Sequence, residues 1–381
     1  MAKALLLHSG GPTPVINASL LGVVEQAQQY PQITAVLGAR FGLDGLLNED
    51  FVDLASVGRG ELEEIARTPS SALGSSRRDP ANEDVEQILA ILRKRDIRYL
   101  LYNGGNGSMG AANRLASAAR HASFDIEVVG IPKTIDNDIV STDHTPGFAS
   151  TARFFACAVR DIGADNRALR GQVEFVEVLG RNAGWIVAAT MLARHAPEDP
   201  PHLVYLPEEG LHLDQLMADI EDVYSRYDRC VVAVCEGQLD NHGQPFGADV
   251  RHGSRGSLAM NLGHRLAMLT AQHLELKTRS EKPGLLGRSC STPVQSDWEE
   301  ARLCGQAAVK AAIDGHGGHM VTLVREPSDE YSATTGLAAL EQVAGVERVV
   351  PLEWRETNVL TDGFAAYLQP LIGPIQKFAN F

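Results

Sequence analysis

Apolar residues in this chain fall in short blocks instead of alternating with polar ones. Seven blocks stand out: KALLLHSGG (3–11), ITAVLGARFG (33–42), IRYLLYNGG (97–105), IEVVGIPKT (126–134), VEFVEVLGR (173–181), PHLVYLPEE (201–209) and CVVAVCEG (230–237). Each ends at glycine or a turn, and each predicts a strand buried on both faces. Between them, residues 81–95 and 213–227 carry apolar positions at helical spacing. Asn82 is expected to cap the first of these helices, with Glu83 and Asp84 in its first turn. Strands alternating with helices predict an α/β fold whose sheets are mainly parallel and covered on both sides.

The polar residues gather where the strands end: HSGGPTP, YNGGNGS, PKTIDND, LGRNAG, LPEEG and CEGQ. In open α/β sheets ligands bind beyond the carboxyl ends of the strands, so these loops predict one site. The expected organisation is a larger α/β domain over residues 1–150, rejoined by part of 255–320, and a smaller α/β domain over 151–254. Residues 321–381 are expected to pack back as a C-terminal strand and helix.

Composition narrows the function. With 381 residues, 44% of them hydrophobic, the chain can build two cores. A net charge of -14 argues against nucleic acid. No apolar run reaches the roughly 18 residues of a membrane span. MAKALLLHSGG has the charge and apolar stretch of a leader but no cleavage site, and it reads as a first strand. Five cysteines in no framework spacing fit reduced thiols in a cytoplasm, and Cys230 and Cys235 flank a strand-like VVAV. The 12 histidines show no metal spacing; His316 and His319 stand among glycines, as in a loop. Trp185 reads as core, and without a G-x-S-x-G elbow or a histidine partner for Ser108 a hydrolase is not expected.

Residues 9–18 (SGGPTPVINA) and 103–112 (NGGNGSMGAA) share one design. A strand ends, glycines turn the chain, and a helix begins whose first N–H groups form an anion site. Neither loop matches the Rossmann G-x-G-x-x-G or the Walker pattern. Glycines that only ease a tight turn would explain either loop alone, but two point to phosphate. In residues 130–148 (GIPKTIDNDIVSTDHTPGF), Asp136 and Asp138 follow Lys133 and Thr134. In an extended segment both carboxylates would fall on one side. Phosphoryl transfer needs a base, a divalent cation and positive charge on the moving group, and this set offers all three. A solvated acidic loop would explain the acids alone.

At GGPTPVINA, GGNGSMGA, PKTIDNDI and EVLGRNAGW the chain resembles the phosphofructokinase family over nearly its whole length. YNGG and PKTIDND make it most similar to the bacterial pyrophosphate-dependent branch. The resemblance implies two Rossmann-like three-layer domains, a cytoplasmic homodimer or homotetramer, and magnesium as cofactor. It implies transfer of a phosphoryl group to the 1-hydroxyl of fructose 6-phosphate, giving fructose 1,6-bisphosphate. By the same resemblance, Asp136 is the base, Asp138 and the position of Asn106 hold magnesium, and Thr134 meets the sugar phosphate. Gly11, Arg77, Gly105, Gly107 and Ser108 line the donor phosphates, with Lys133 beside them. Leu179, Gly180, Arg181 and Glu236 cradle the sugar in the smaller domain, while Arg279 and Arg288 grip its 6-phosphate.

Four positions depart from the pattern. Asn106 replaces an aspartate beside the metal, Leu285 a hydrogen-bonding residue at the 6-phosphate, and Gln172 an arginine that reaches a neighbouring subunit. Those three leave room for a weakly catalytic, sugar-phosphate-binding regulatory paralogue. The fourth is Gly107, where pyrophosphate users carry an aspartate that repels the α-phosphate of ATP. Glycine removes that obstacle, so ATP is the expected donor. Lys133 is typical of pyrophosphate users and makes pyrophosphate the alternative.

Overall fold

A computed structural model of the chain describes residues 2–246, 250–251, 257–258, 261–328, 330–355 and 358–379. In chain order its strands are β1 (Ala2–His8), β2 (Ile33–Ala39), β3 (Phe51–Asp53), β4 (Ile97–Gly104), β5 (Glu127–Pro132), β6 (Gln172–Val178) and β7 (Leu203–Tyr205). They continue with β8 (Arg229–Cys235), β9 (Val250–Arg251), β10 (Ser257–Leu258), β11 (Lys277–Glu281), β12 (His319–Arg325) and β13 (Ala333–Ala339). Each of the seven apolar blocks contains a strand.

The chain forms two compact units, Met1–Phe148 with Arg288–Arg348, and Ala149–Gly287 with Val349–Phe381. This partition differs from the expected one after residue 254. Residues 261–287 stay with the second unit, and the tail divides, because β12 pairs with β5 in the large sheet. Residues 321–381 do supply strand and helix, through β12, β13 and the helix Asp362–Ile372; between them Leu352–Trp354 is a single 3-10 turn after Pro351.

The first unit has a seven-stranded sheet in the order β13-β12-β5-β4-β1-β2-β3. Its inner pairs are parallel, and the outer pairs β12–β13 and β2–β3 are antiparallel. Alternation along β1 and β4 builds both cores. Leu5, Leu7, Leu100 and Tyr102 face the helices Asn82–Lys94 and Asn106–His121 through Ile88, Leu92, Met109 and Leu115. Leu6, Leu101 and Ile131 face the helices Ile16–Ala27 and Gln295–Ile313 through Leu20, Val23, Cys304 and Ala308. Asn82 is not a cap but the first helical residue. Ala81 holds the cap position, and its N–H donates to the Asp84 carboxylate at 3.0 Å.

The helices Ile16–Ala27 and Gln295–Ile313 approach so closely that each needs a glycine. A Cβ on Gly22 would lie 2.0 Å from the Arg302 carbonyl oxygen, and one on Gly305 2.1 Å from that of Ser19. Backbone atoms cannot rotate away, so Gly22→Ala should destabilise the fold by at least about 1–3 kcal/mol. A thermal melt checks this against Gly60→Ala, whose Cβ would meet nothing within 4 Å and which should not lower Tm.

The second unit has a four-stranded parallel sheet in the order β11-β6-β8-β7, and β9 and β10 form an antiparallel pair. Val173, Phe175, Val232 and Val234 pack against Leu216 and Ile220 of the helix Leu213–Tyr227 and Leu266 of the helix Leu262–Leu274. Trp185 is buried as expected, with ring centroids of Trp354, Phe364 and Tyr367 at 6.2, 5.8 and 5.6 Å. The five cysteines are free thiols, and Cys230 and Cys235 lie buried in β8. Among the described residues, no helix is long and apolar enough to cross a membrane.

Candidate functional site

In the first unit β5, β4 and β1 are neighbours, with His8 opposite Asn103 and Gly104 opposite Pro132, so their three polar loops leave the sheet side by side. The buried Lys133 ties them together: its Nζ donates to the Ser9 carbonyl at 2.7 Å and to the Gly11 carbonyl at 2.6 Å. Ser108 Oγ donates to Ser9 Oγ at 2.9 Å, and the Lys133 N–H donates to the Gly104 carbonyl at 3.0 Å. Two guanidinium groups meet at Gly11. A Cβ there would lie 3.4 Å from Arg288 Nη1 and 3.8 Å from Arg77 Nη2. Arg288, expected at the sugar 6-phosphate, thus stands beside the same loop as Arg77.

The helix Asn106–His121 starts after Gly105 with no acidic residue in its first turn, which leaves its N–H groups and dipole for an anion. A Cβ on Gly105 would sit 3.5 Å from Thr134 Cβ, whereas one on Gly107 would meet nothing within 4 Å. The positive groups and the helix start therefore converge on one small region that suits phosphate.

The segment Thr134–Asp138 is not extended. Asn137 has φ 54°, so alternation does not place the two carboxylates. Turn contacts do. The Asp136 N–H donates to Thr134 Oγ1 at 3.1 Å, and the Thr145 N–H donates to Asn137 Oδ1 at 3.1 Å. Asp136 and Asp138 are half-buried. Asn106 Nδ2 donates to the Val346 carbonyl at 2.6 Å, which leaves Oδ1 as the oxygen that could meet a cation. Among the described residues no group of three or more His, Cys, Asp or Glu could hold a metal. One carboxylate and one amide oxygen fit magnesium that keeps waters and substrate phosphates, not an all-protein cage.

The remaining sequence-predicted residues belong to the second unit. Leu179, Gly180 and Arg181 follow β6, and Glu236 follows β8 with its N–H on the Val178 carbonyl at 3.0 Å. Gly180 has φ 133° and Arg181 φ 53°, and a Cβ on Gly237 would lie 1.8 Å from the Arg181 carbonyl oxygen. This close approach fixes Arg181 and Glu236 as neighbours. Arg279 lies on the edge strand β11 opposite Glu174, whose pKa burial and then Glu281 push up to about 7. Leu285 is 62% exposed, and Gln172 is buried at the start of β6.

The family model described as Phosphofructokinase matches residues 3–312. The chain belongs to the phosphofructokinase family. Membership makes it a phosphotransferase with an alcohol group as acceptor. It is 38% identical to a pyrophosphate–fructose 6-phosphate 1-phosphotransferase of Rhodospirillum rubrum over 97% of this chain and 94% of that protein. It is 33% identical to a sulfofructose kinase of Alkalicoccus urumqiensis over 90% and 89%. A crystal structure of a pyrophosphate-dependent phosphofructokinase from Marinobacter aquaeolei superposes with a TM-score of 0.88 at 31% identity, covering 100% of this chain and 94% of that one.

Within this phosphofructokinase-family fold, two residues of the site escaped the sequence reading. Ser9 supplies both a carbonyl to Lys133 and a hydroxyl to Ser108. His8 is buried beneath the loop with Nδ1 2.7 Å from Ser71 Oγ, and burial, then the charge of Lys133, hold its pKa down to about 3. It is therefore a neutral structural residue. Only its place at the end of β1 could have drawn notice.

Proposed function

We propose that the chain transfers a phosphoryl group from pyrophosphate to the 1-hydroxyl of fructose 6-phosphate, giving fructose 1,6-bisphosphate and orthophosphate. One observation carries this reading: Lys133 is fixed by two main-chain carbonyls where three polar loops, two of them of the phosphate type, meet. The names of the pyrophosphate-dependent relatives support the same donor. ATP, expected from Gly107, is the less supported donor, and there is a physical reason. A glycine facing open space removes an obstacle but contributes no contact to a third phosphate or a nucleoside. The fixed ammonium of Lys133 can meet the two phosphates that pyrophosphate itself presents.

Asp136 accepts the proton of the 1-hydroxyl as its oxygen attacks the near phosphorus of pyrophosphate. Lys133, Arg77, Ser108 and the N–H groups after Gly105 offset the charge on the donor and on the orthophosphate that leaves. Thr134 and Arg288 of the first unit contact the sugar phosphate, and Arg181, Glu236 and Arg279 of the second unit are assigned to it by the family resemblance alone. Asp138 and Asn106 Oδ1 would hold a magnesium ion, which would supply positive charge to offset that of the donor.

An aldolase-coupled assay with each donor tests the reading. Pyrophosphate should support turnover with a kcat/KM well above that of ATP; the reverse order would overturn it. Gly107→Asp sharpens the test, since a Cβ at that position would meet nothing within 4 Å. It should leave pyrophosphate use intact and lower any residual use of ATP by more than about tenfold through like-charge repulsion.

A further inference from the structure

His144 lies six residues past Asp138, and its side chain is fully buried. Its Nδ1 is 2.9 Å from Asp143 Oδ2 and its Nε2 is 2.7 Å from Glu300 Oε2. A neutral imidazole has one N–H and could donate to only one of these carboxylates. Acceptors on both ring nitrogens call for the imidazolium.

The surroundings agree. Arg325 of β12 pairs with Asp143 at 3.0 Å, and Arg348 Nη1 donates to the Asp143 carbonyl at 2.5 Å. Tyr331 donates to Glu300 Oε1 at 2.5 Å and lies 3.4 Å from the ring. Asp297, three residues before Glu300 on the helix Gln295–Ile313, accepts the Gly147 N–H at 2.7 Å. One helix thus grips residues 144–147 twice, and that stretch holds the catalytic loop. Thr145 Oγ1 donates to the Thr134 carbonyl at 2.9 Å, the Thr145 N–H donates to Asn137 Oδ1 at 3.1 Å, and Thr134 bridges Gly147.

We propose that His144, as an imidazolium clamped between Asp143 and Glu300, is a positioning residue for phosphoryl transfer. Through Thr145 and Gly147 it holds Thr134 and Asn137, and so aims the carboxylate of Asp136. The inference rests on the proposed phosphotransfer by Asp136.

Burial would lower the pKa of His144, but the hydrogen bonds and charges of Asp143 and Glu300 outweigh it and raise it from 6.5 to about 9. A raised pKa places the clamp's contribution fully below pH 6.5 and removes it as the pH rises through about 9. In the full chain labelled with 15N-histidine, both ring nitrogens of His144 should be protonated at pH 7.5, without any substrate present. An unprotonated ring nitrogen there overturns the proposal whatever the donor proves to be. His144→Gln should lower kcat by about tenfold to a hundredfold with both KM values within about twofold. It should also abolish the alkaline fall in kcat near pH 9. A lower Tm with the alkaline limb retained means a merely structural histidine. If the glutamine variant does not fold, Glu300→Gln should move the limb to lower pH, and an unmoved limb contradicts the clamp.

Discussion

Asp136→Asn is expected to lower kcat by about 10²- to 10⁴-fold while the KM for fructose 6-phosphate changes little. The amide keeps the volume of the carboxylate and the Asp136 N–H bond to Thr134 Oγ1, so the turn should survive. What it loses is the ability to take the hydroxyl proton as the new bond forms. Steady-state kinetics with the preferred donor check this, and an unchanged kcat removes Asp136 from the chemistry.

Lys133→Met should lower kcat at least about tenfold, because the transferring group loses a fixed positive charge in a water-poor site. It should also lower Tm. The Ser9 and Gly11 carbonyls would lose the ammonium that now bonds them, and a buried carbonyl such as that of Ser9, left unmet, costs about 1–3 kcal/mol. Loss of stability with kcat intact would make Lys133 a structural tie between β5 and the first loop.

The parts of the fold legible in the sequence are those where burial is one-dimensional. Central strands such as β4 and β8 are covered on both faces, so they read as apolar blocks that stop at glycine. The edge strands β11 and β3 leave no such trace. KTRSE forms β11 with alternating exposed residues, and FVD forms β3 in three residues. Nor could local pattern show that β12 and β13 return to the first sheet while the tail after Arg348 joins the second unit. In the site, the glycine loops and PKTIDND were legible because their chemistry is local. The left-handed Asn137 and the bond from Thr145 that meets it were not, since that turn is set by a residue eight positions on. Gly107 shows the limit of reading one side chain: its missing Cβ opens space but says nothing about what fills it.

The donor is tested most directly by following 31P signals while the unmodified chain is mixed with fructose 6-phosphate, magnesium and pyrophosphate, with no nucleotide present. One orthophosphate should appear for each fructose 1,6-bisphosphate formed, as pyrophosphate disappears. Pyrophosphate left intact, with the same chain consuming ATP under identical conditions, would contradict the proposed reaction.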